Sequence, residues 1–406
     1  MRRRQFLSWL GLGLVDLSTW AVANGSAHEM MHRRPTQTDT GHVTLFLCGD
    51  VMTGRGMDQA LPHPCAPRLF EPAVASALDY VELAERANGP IPKPVAFDYP
   101  WGDALEELKR RRPDRRIINL ETSVTRSDDA LPKGINYRMN PANFPCITAA
   151  GIDCCVLANN HVLDWGGAGL RETLSTIKEA GVAEAGAGLD HEAAAAPAIL
   201  GLPRGRVLVF AFGCMDSGVP PSWAATAKKP GVNLLEDVSA DGAREIAARV
   251  RALRKPNDVV VVSIHWGSNW GYDVPGSHRR FAHALIEENG ADIVHGHSSH
   301  HPRGMEVHRG RPILYGCGDF INDYEGISGY ESYRDDLVLM YLPTLRVKDG
   351  VLVRFAMVPF QLRRFRLHRA SEEDAEWLRG VMDRESRRFG ARVNRAMDGS
   401  LTLEWD

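Results

Sequence analysis

The chain has 406 residues, of which 44% are hydrophobic and 24% charged, the composition of a folded globular protein. This length suits one large α/β domain or two ordinary domains. The net charge of −3 gives no reason to expect nucleic acid or an acidic membrane surface as a partner. No apolar run approaches the roughly 20 residues that a membrane-spanning helix needs.

The first residues resemble an export signal. Arg2-Arg3-Arg4 precedes an apolar segment at 7–15 and a small-x-small cleavage pattern. The run Arg3-Arg4-Gln5-Phe6-Leu7 resembles the twin-arginine signal, which exports proteins that are already folded. We therefore expect a signal peptide at 1–27, a polar linker at 28–41, and an exported protein that is periplasmic or envelope-associated. A merely basic terminus on a cytoplasmic protein is the alternative.

The seven cysteines argue against a disulfide scaffold and against a zinc finger. Their number is odd and none of them has Cys-x-x-Cys spacing. Most lie in apolar runs, where a free cysteine acts as a small core residue. The scarcity of obvious disulfides is a mild argument against an oxidising compartment, which export of a folded protein weakens.

Predicted strands and helices alternate along the chain. In chain order they are strand 43–48, helices 72–87 and 101–111, strand 117–120, helix 141–150, strand 154–157, helix 169–180, strand 207–212, helix 237–253, strand 259–264, helix 277–288, strands 292–294, 312–315, 337–345 and 351–360, and helix 372–388. This alternation predicts a largely parallel sheet with right-handed crossovers. Strand 259–264 is apolar on both faces and should be central. We expect one domain at 42–365 and a helical C-terminal extension at 366–406.

Five predicted strands end in polar residues of metal-ligand or catalytic type. These are Asp50, Glu121, Asn160 with His161, His265, and His297 with His300. In an open α/β sheet, ligands bind at the carboxyl ends of the strands. Each residue alone has an ordinary explanation, because Asp and Asn form turns and a lone histidine can be a hydrogen-bonded core residue. Five such strand ends are harder to attribute to turns.

Residues 291–302 carry four of the fifteen histidines within seven positions, directly after a short apolar run. A strand that stops at glycine and then projects imidazoles is a recurring way to build a metal site. An exposed, solvated histidine-rich loop is the alternative. The other strand ends favour the metal site, because they supply the partners that these imidazoles need.

The mixture of donors indicates which metals would bind. Two carboxylates, an amide and three imidazoles, without a thiolate, suit Mn²⁺, Fe²⁺ or Zn²⁺ in a site open to water and substrate. Such an ion can activate water near neutral pH and polarise a phosphoryl or carbonyl oxygen. A divalent metal cofactor is therefore predicted.

His161 and two charged residues have predicted roles beside the metal. His161 follows Asn160 and could act as a general acid or a positive group, with Asp164 holding its other nitrogen. Asp164 as the N-cap of the following helix is the competing interpretation. Arg55 is predicted to face the site and pair with an anion; an ordinary surface arginine is equally consistent with the sequence.

Five motifs follow one another in a fixed order. They are Gly49-Asp50-Val51-Met52 with Gly54-Arg55, Asn119-Leu120-Glu121, Ala158-Asn159-Asn160-His161 with Asp164, His265-Trp266-Gly267, and Gly296-His297 with His300. Over about residues 43–325 they resemble the CapA family, the poly-γ-glutamate capsule biosynthesis proteins, whose fold is that of the calcineurin-like metallophosphatases. The resemblance implies a four-layer αββα sandwich of two mixed sheets. It makes His161 the catalytic histidine and implies a metal centre formed by Asp50, Glu121, Asn160, His265, His297 and His300.

Several positions depart from the family pattern. Metallophosphatases usually open with Asp-x-His, and Met52 stands in place of that histidine, so either one or two ions are expected. Gly318-Asp319-Phe320 replaces the usual Gly-Asn-Phe, and its carboxylate could supply missing ligation or contact the bound anion. Ser298-Ser299 replaces a His-Pro pair. The remaining imidazoles, His295 and His301, are expected to be supporting or surface residues.

Two functions of different class are consistent with these residues. The first is a metal-dependent hydrolase that cleaves a phosphoester or a γ-glutamyl amide, with an anionic polymer or a phosphorylated small molecule as substrate. The second is a non-enzymatic, metal-bearing accessory protein for capsule polymer assembly or export, with other capsule or envelope synthesis proteins as partners. Replacing His161 would distinguish them, because only the first function needs this residue for turnover.

Overall fold

A computed structural model describes residues 41–406. The predicted signal peptide at 1–27 and nearly all of the predicted linker at 28–41 lie outside the described residues. The strands are β1 (His42–Val51), β2 (Arg115–Leu120), β3 (Ser123–Val124), β4 (Arg138–Met139), β5 (Cys154–Val156), β6 (Ala183–Ala185), β7 (Ala187–Gly188), β8 (Ala198–Gly201), β9 (Arg206–Cys214), β10 (Gly231–Val232), β11 (Leu234–Leu235), β12 (Val259–His265), β13 (Ile293–His297), β14 (Met305–His308), β15 (Arg311–Leu314), β16 (Asp319–Ile321), β17 (Leu337–Arg346), β18 (Val351–Arg363), β19 (Arg366–Arg369), β20 (Ala391–Arg395) and β21 (Leu401–Trp405).

The α-helices lie mostly in the crossovers between parallel strands. They are α1 (Gly56–Ala60), α2 (Ala77–Asn88), α3 (Ala104–Arg111), α4 (Pro145–Ala149), α5 (Gly166–Glu179), α6 (His191–Ala195), α7 (Ala240–Leu253), α8 (Gly276–Glu287) and α9 (Glu372–Arg387). Single 3₁₀ turns occur at Tyr99–Trp101, Pro141–Asn143, Met215–Ser217, Pro221–Trp223 and Glu331–Tyr333.

Two mixed sheets carry most of the strands. The ten-stranded sheet has the order β20-β21-β18-β17-β1-β2-β5-β6, with β16 beside β1 and β19 beside β18. The seven-stranded sheet has the order β11-β9-β12-β13-β15-β14, with β8 beside β9. Strand β12 is paired in parallel on both sides, with β9 and β13, as its apolar sequence predicted.

Alternating side chains define the layers. In β1, Leu45 and Leu47 enter a core shared by both sheets, whereas Phe46 packs on the opposite face. In β12, Val261 enters the same inter-sheet core and Val262 faces the helices. This period of two buries both faces of each central strand.

Helices cover the two outer faces. The outer face of the ten-stranded sheet packs against Ala84 of α2, Leu108 of α3 and Leu170 of α5. The outer face of the seven-stranded sheet packs against Val250 of α7 and Phe281 of α8. The order helices, sheet, sheet, helices confirms the predicted four-layer αββα sandwich.

The last segment is more than the helical extension expected at 366–406. After α9, strands β20 and β21 form a hairpin whose second strand pairs with β18, so the segment extends the ten-stranded sheet. Val393, Leu401 and Leu403 are buried in the inter-sheet core together with Leu378 of α9. The alternation of these apolar residues with Arg and Glu suits edge strands, although five-residue strands rich in charge resemble an exposed tail in the sequence.

Strand β13 is also longer than predicted. The sequence placed its end at Val294, before the first histidine, but the structure continues it through His297. His295, Gly296 and His297 pair with the last three residues of β12. Three residues of the histidine-rich stretch are therefore held by backbone hydrogen bonds, and only the part beyond them is loop.

Two further expectations from the sequence concern cysteine pairing and membrane-spanning helices. All seven cysteines are free thiols, and six of them are buried. Within residues 41–406, none of the helices combines the length and apolarity needed to cross a bilayer.

Candidate metal centre

The candidate ligands gather where strands from both sheets end. The ten-stranded sheet contributes Asp50 near the end of β1, Glu121 directly after β2, and Asn160 in the loop after β5. The seven-stranded sheet contributes His265 and His297, the last residues of β12 and β13, which occupy the same register position. His300 follows in the next turn. The carboxyl ends of parallel strands meet at one edge, which is why residues so distant in sequence come together.

Asp50 is common to two groups of donor atoms. Its carboxylate lies within 4.8 Å of donor atoms of His265 and His297, and the same limit holds for the group of Asp50, His300 and Asp319. All five side chains are buried. The structure thus contains two adjacent positions, each lined by nitrogen and oxygen donors and both using Asp50. Donors of this kind suit divalent transition metals.

Asp319 reaches the site through strand pairing. Strand β16 runs parallel to β1 with Asp319 opposite Asp50, and the Asp50 amide donates to the Gly318 carbonyl at 3.1 Å. Met52 is buried directly after β1, two residues beyond Asp50. Strand pairing therefore brings Asp319 next to Asp50, whereas the side chain of Met52 offers no nitrogen or oxygen donor.

A chain of hydrogen bonds fixes the proton positions on two imidazoles. The Cys48 carbonyl can only accept, so His295 carries its proton on Nε2, 2.8 Å away. Its bare Nδ1 accepts the Ser263 hydroxyl at 3.1 Å, and the Ser263 oxygen then accepts from His297 Nε2 at 2.9 Å. His297 is left with a lone pair on Nδ1, which faces His265 Nδ1 at 2.8 Å.

Both facing imidazoles are neutral. Burial, followed by the charge of neighbouring imidazoles, lowers the pKa of His265 and of His297 well below the ordinary value. Neutral imidazole with a free lone pair is the form that binds metals. The tautomer of His297 therefore fits a divalent cation beside Asp50.

The carboxylates lead to the same conclusion. Burial and then the neighbouring Asp319 raise the pKa of Asp50 to about 7, against the lowering effect of His300. Burial and then Asp50 raise the pKa of Glu121. Buried carboxylates that repel one another lack positive charge, which a divalent cation would supply. The residues present therefore fit a metal centre.

An amide network holds the carboxylates in place. Asn119 Nδ2 lies 2.7 Å from Asp50 Oδ1 and 3.2 Å from Glu121 Oε2. Asn159 Nδ2 donates to the Asn119 side-chain oxygen at 3.0 Å and so fixes the orientation of that amide. On the other side, His265 Nε2 lies 3.1 Å from Asn160 Oδ1 and 3.9 Å from Glu121 Oε1. Glu121 and Asn160 therefore border the position that Asp50 shares with His265.

His161 stands at the edge of this position with one nitrogen free. Its Nδ1 lies 2.6 Å from Asp164 Oδ2, and its Nε2 lies 3.8 Å from Glu121 Oε1. Asp164 is not the N-cap of α5, whose N-cap residue is Trp165. Its second oxygen accepts from Lys133 Nζ at 2.6 Å. Burial, and then Lys133 acting against Asp164, lower the pKa of His161 to about 4, so the ring is neutral near pH 7.

Arg55 is bound by the protein itself, which differs from its predicted role. Its guanidinium pairs with Asp323 at 2.6 Å and with Glu71 at 3.0 Å, and it stacks on Tyr137. Tyr137 in turn packs edge-on against His161, with ring centroids 4.6 Å apart. Because internal carboxylates already engage it, Arg55 supports the wall behind His161 and does not present its charge to an external anion.

His300 and Asp319 form a pair of their own. His300 Nδ1 lies 2.9 Å from Asp319 Oδ1, and Asn322 Nδ2 donates to Asp319 Oδ2 at 2.8 Å. Burial lowers the pKa of His300, but Asp319 and Asp50 outweigh it and raise the pKa overall. At the opposite edge of the ring, the side-chain amide nitrogen of Asn269 lies 3.1 Å from His300 Nε2.

Three contributors were missed or undervalued in the sequence. Lys133 binds Asp164, lies 3.2 Å from His161 Nδ1 and also donates to the Asn160 carbonyl, yet it sits in an irregular Pro-Lys-Gly loop without a pattern. Ser263 is one residue inside an apolar strand. His295 is buried and orients His297, so it is a supporting residue and not a surface one. The strand register of β12 and β13 was the only signal that could have found the last two.

Comparison with known proteins agrees with these motifs. A family model described as bacterial capsule synthesis protein PGA_cap matches residues 44–324. A probable polyglutamine synthesis accessory protein of Mycobacterium tuberculosis is 49% identical over 364 residues, covering 89% of this chain and 96% of that protein.

More distant relatives carry names from capsule synthesis. The capsule biosynthesis protein CapA of Bacillus anthracis is 23% identical over 351 residues, 86% of this chain and 74% of that protein. The PGA biosynthesis protein CapA of Bacillus subtilis is 26% identical over 325 residues, 79% of this chain and 72% of that protein. The family match spans every candidate ligand from Asp50 to Asp319.

Proposed function

The chain belongs to the bacterial capsule synthesis protein family, as its motifs predicted, and on that basis we propose that it is a metal-dependent hydrolase of a capsule or envelope polymer pathway. The observation that carries the proposal is the pair of donor groups that share Asp50, with His161 Nε2 open beside them. Such a site combines ligands with a group able to move a proton, which hydrolysis requires.

The metal would be held by residues of both sheets. Asp50, His265 and His297 would hold one ion with Glu121 and Asn160 beside them, and Asp50, His300 and Asp319 offer a second position. When bound, Mn²⁺, Fe²⁺ or Zn²⁺ supplies Lewis acidity that activates water and polarises a phosphoryl or carbonyl oxygen. Both bond types are therefore open to this site.

The chain's own residues supply the proton chemistry. His161 keeps its Nδ1 proton against Asp164 and can take up or release a proton at Nε2. Lys133 holds Asp164 from the other side and so fixes the orientation of the ring. Asn119 donates to one oxygen of Asp50 and to one oxygen of Glu121 and so fixes the orientation of both carboxylates. Burial of these carboxylates, His161 and Asp164 excludes bulk water and strengthens their electrostatic effects.

The names of the relatives support a proposal for the substrate class. We propose an anionic γ-glutamyl polymer or a phosphorylated small molecule, because proteins named for capsule and PGA biosynthesis match most of the chain. Lys133, whose side chain is 25% exposed and whose ammonium binds Asp164, adds positive charge at the rim of the site, which favours an anionic substrate. Export by the segment at 1–27 would place the protein in the compartment where such a polymer accumulates.

A non-enzymatic role is the second candidate. The Mycobacterium tuberculosis relative bears the name of an accessory protein, and it is the more similar of the relatives described above. In this role the metal centre would shape a polymer-binding surface for assembly or export, with other capsule synthesis proteins as partners. His161 would then have no proton to transfer.

The test combines metal content with hydrolysis. Purified protein, loaded with Mn²⁺, Fe²⁺ or Zn²⁺, is assayed on p-nitrophenyl phosphate, bis-p-nitrophenyl phosphate and γ-linked glutamate oligomers. We expect His161→Ala to keep the metal and to lose about 10²–10⁴-fold in rate. His297→Ala should lose both metal and activity.

Matched histidine controls make the outcome decisive. His191→Ala removes an exposed imidazole on α6 and should change neither quantity. Turnover of the His161→Ala protein at the wild-type rate would exclude the hydrolytic mechanism. Absence of turnover in metal-loaded wild type, together with polymer binding that needs His297, would favour the accessory role.

A further inference from the structure

A second group of metal-type donors lies outside the metal centre and shares none of its residues. It comprises His283 and Glu287 of α8 and Glu306 and His308 of β14. Donor atoms of His283, Glu306 and His308 lie within 4.8 Å of one another. None of these residues has a role in the proposed hydrolysis.

Regular secondary structure places the four side chains together. His283 and Glu287 are four residues apart on a helix and therefore project from the same face. Glu306 and His308 are two residues apart on a strand and therefore also share a face. The group joins a helix to the edge strand of the seven-stranded sheet.

The imidazoles already point at the carboxylates. His283 Nε2 lies 2.9 Å from Glu306 Oε1, and His308 Nε2 lies 2.9 Å from Glu287 Oε1. The two rings are stacked, with centroids 3.8 Å apart and an interplanar angle of 5°. Each imidazole Nε2 thus lies beside one carboxylate oxygen, and Glu287 Oε1 also pairs with Arg309 at 3.1 Å.

Hydrogen bonds from two neighbouring side chains fix the orientation of the Glu306 carboxylate. Arg279 donates to both of its oxygens at 3.0 and 3.2 Å, and the Tyr315 hydroxyl donates to Oε2 at 2.6 Å. Burial raises the pKa of Glu306, but these hydrogen bonds outweigh it and the pKa is lowered overall. A carboxylate that is ionised and oriented by neighbours is typical of metal ligands.

Access and protonation also suit a ligand role. The side chains of His283, His308 and Glu287 are 25%, 20% and 41% exposed, so an ion can enter from solvent. Burial, and then the charges of His308 and Arg279 acting against Glu306, lower the pKa of His283. The ring is neutral near pH 7, the form that binds metals.

We propose that His283, Glu306 and His308 form a separate zinc site that ties α8 to β14, with Glu287 at its edge. Two imidazole nitrogens and one carboxylate oxygen are three ligands suited to Zn²⁺, and water or Glu287 would take the fourth position. Ligands at tetrahedral zinc are about 3.4 Å apart, from Zn–N and Zn–O bonds of about 2.1 Å. Opening the 2.9 Å contact between His283 and Glu306 by about 0.5 Å, with His308 drawn toward them, admits the ion. A neutral ring bound through Nε2 carries its proton on Nδ1, so neutral His283 releases no net proton on binding.

The test measures zinc without any activity assay. Full-length protein is equilibrated with Zn²⁺, dialysed, and its zinc per chain is measured together with the zinc-dependent shift in melting temperature. The double variant His283→Ala/His308→Ala should lose about one ion per chain and the corresponding shift. Co²⁺ in place of Zn²⁺ should lose its tetrahedral visible absorption in the same variant.

Controls separate this site from the metal centre and from adventitious binding. His297→Ala, at the metal centre, should keep the zinc of this site, and His191→Ala, at an exposed surface position, should keep all of it. The milder variant His308→Gln should weaken zinc binding in a protein that melts normally without zinc. The proposal would be overturned if the double variant kept the zinc content and melting shift of wild type. It would also be overturned if His191→Ala lost as much zinc as the double variant.

Discussion

His265 and His297 face each other through their Nδ1 atoms, 2.8 Å apart, at the same register position of two parallel strands. Two neutral imidazoles at this distance need a proton or a cation between them, because two lone pairs repel. The single N–H of neutral His297 lies on the other side of the ring, where Nε2 donates to the Ser263 oxygen. Strand register therefore defines which two imidazoles face each other, and the Ser263 hydrogen bond defines which nitrogen of His297 carries the free lone pair.

Ser263→Ala should weaken metal binding without removing a ligand. The variant frees His297 Nε2 and so loses control of its tautomer. We expect metal affinity to fall about 10–100-fold, the usual effect of losing a partner of a metal-bound histidine. Competition with a chromophoric chelator measures the affinity. Ser175→Ala, an exposed serine of α5, is the control and should bind as wild type does.

Asp164→Asn should separate metal binding from turnover. The amide cannot hold the His161 Nδ1 proton as the carboxylate does, so the ring no longer keeps Nε2 free toward the site. We expect the metal content to stay at the wild-type value and kcat to fall about 10²-fold or more. Metal loss in this variant would contradict the placement of Asp164 outside the ligand set.

Lys133→Met should raise the pKa of His161. The ammonium lies 3.2 Å from His161 Nδ1 and is among the groups that lower its pKa to about 4. Without it, Asp164 stabilises the imidazolium against burial and Arg55 alone, and protonation occurs at higher pH. NMR titration of the imidazole signals in metal-free protein measures the change. A lower pKa in the variant, or an unchanged one, would show that Lys133 does not act on this ring.

Gly49→Ala should destabilise the sheet beside the metal centre. A Cβ at residue 49 would lie 1.8 Å from the Gly318 carbonyl oxygen, so β16 and Asp319 would have to move away. We expect unfolding free energy to fall by about 3 kcal/mol and metal affinity to fall with it. Gly134→Ala is the matched control, because a Cβ there has no heavy atom within 4 Å. Urea unfolding of both variants tests the difference.

Asp258→Asn should make the free energy of unfolding less sensitive to pH in the acid range. Burial raises the pKa of Asp258, but hydrogen bonds from Arg206 at 3.0 Å and the Lys255 amide at 2.8 Å outweigh it, so the pKa is lowered. A carboxylate whose pKa is lowered by folding stabilises the protein at pH values above its unfolded-state pKa of about 3.9. This stabilisation is lost as the pH falls through the folded-state pKa. At neutral pH the variant should be about 2 kcal/mol less stable.

The pH series distinguishes this ion pair from a general effect of substitution. The stability difference between wild type and Asp258→Asn should shrink as pH falls below about 3.9, since the carboxylate then gains a proton in the unfolded protein before it does in the folded one. Asp241→Asn, whose side chain is 79% exposed, should cost little at any pH. A difference that stays constant across the range would contradict the assignment.

The sequence predicted the layers of the fold because apolar alternation reports burial directly. Strand β12 is apolar at every position but Ser263 before His265, and it lies in the middle of its sheet with both faces covered. Strands β20 and β21 were missed since their apolar alternation extends over only five residues each and is mixed with charged residues typical of an exposed tail. Their burial depends on α9, which directly precedes them in the chain and packs in the same core.

The candidate site was predictable where a polar residue interrupts or ends an apolar run. Asp50, His265 and His297 do so, and the structure brings them together. The environment of Arg55 was not predictable, since Asp323 lies 268 residues away in the chain. The role of Lys133 also depends on loop conformation alone. Side chains whose role comes from tertiary contact leave no periodic trace in the sequence.

The division of the candidate ligands between two sheets has a kinetic consequence. An ion held by Asp50 on one side and by His265 and His297 on the other would cross-link the two sheets at that edge. Separation of the sheets would then oppose the binding free energy of the ion as well as the packing of the inter-sheet core. Hydrogen exchange of the β12 amides would therefore slow when the ion is bound.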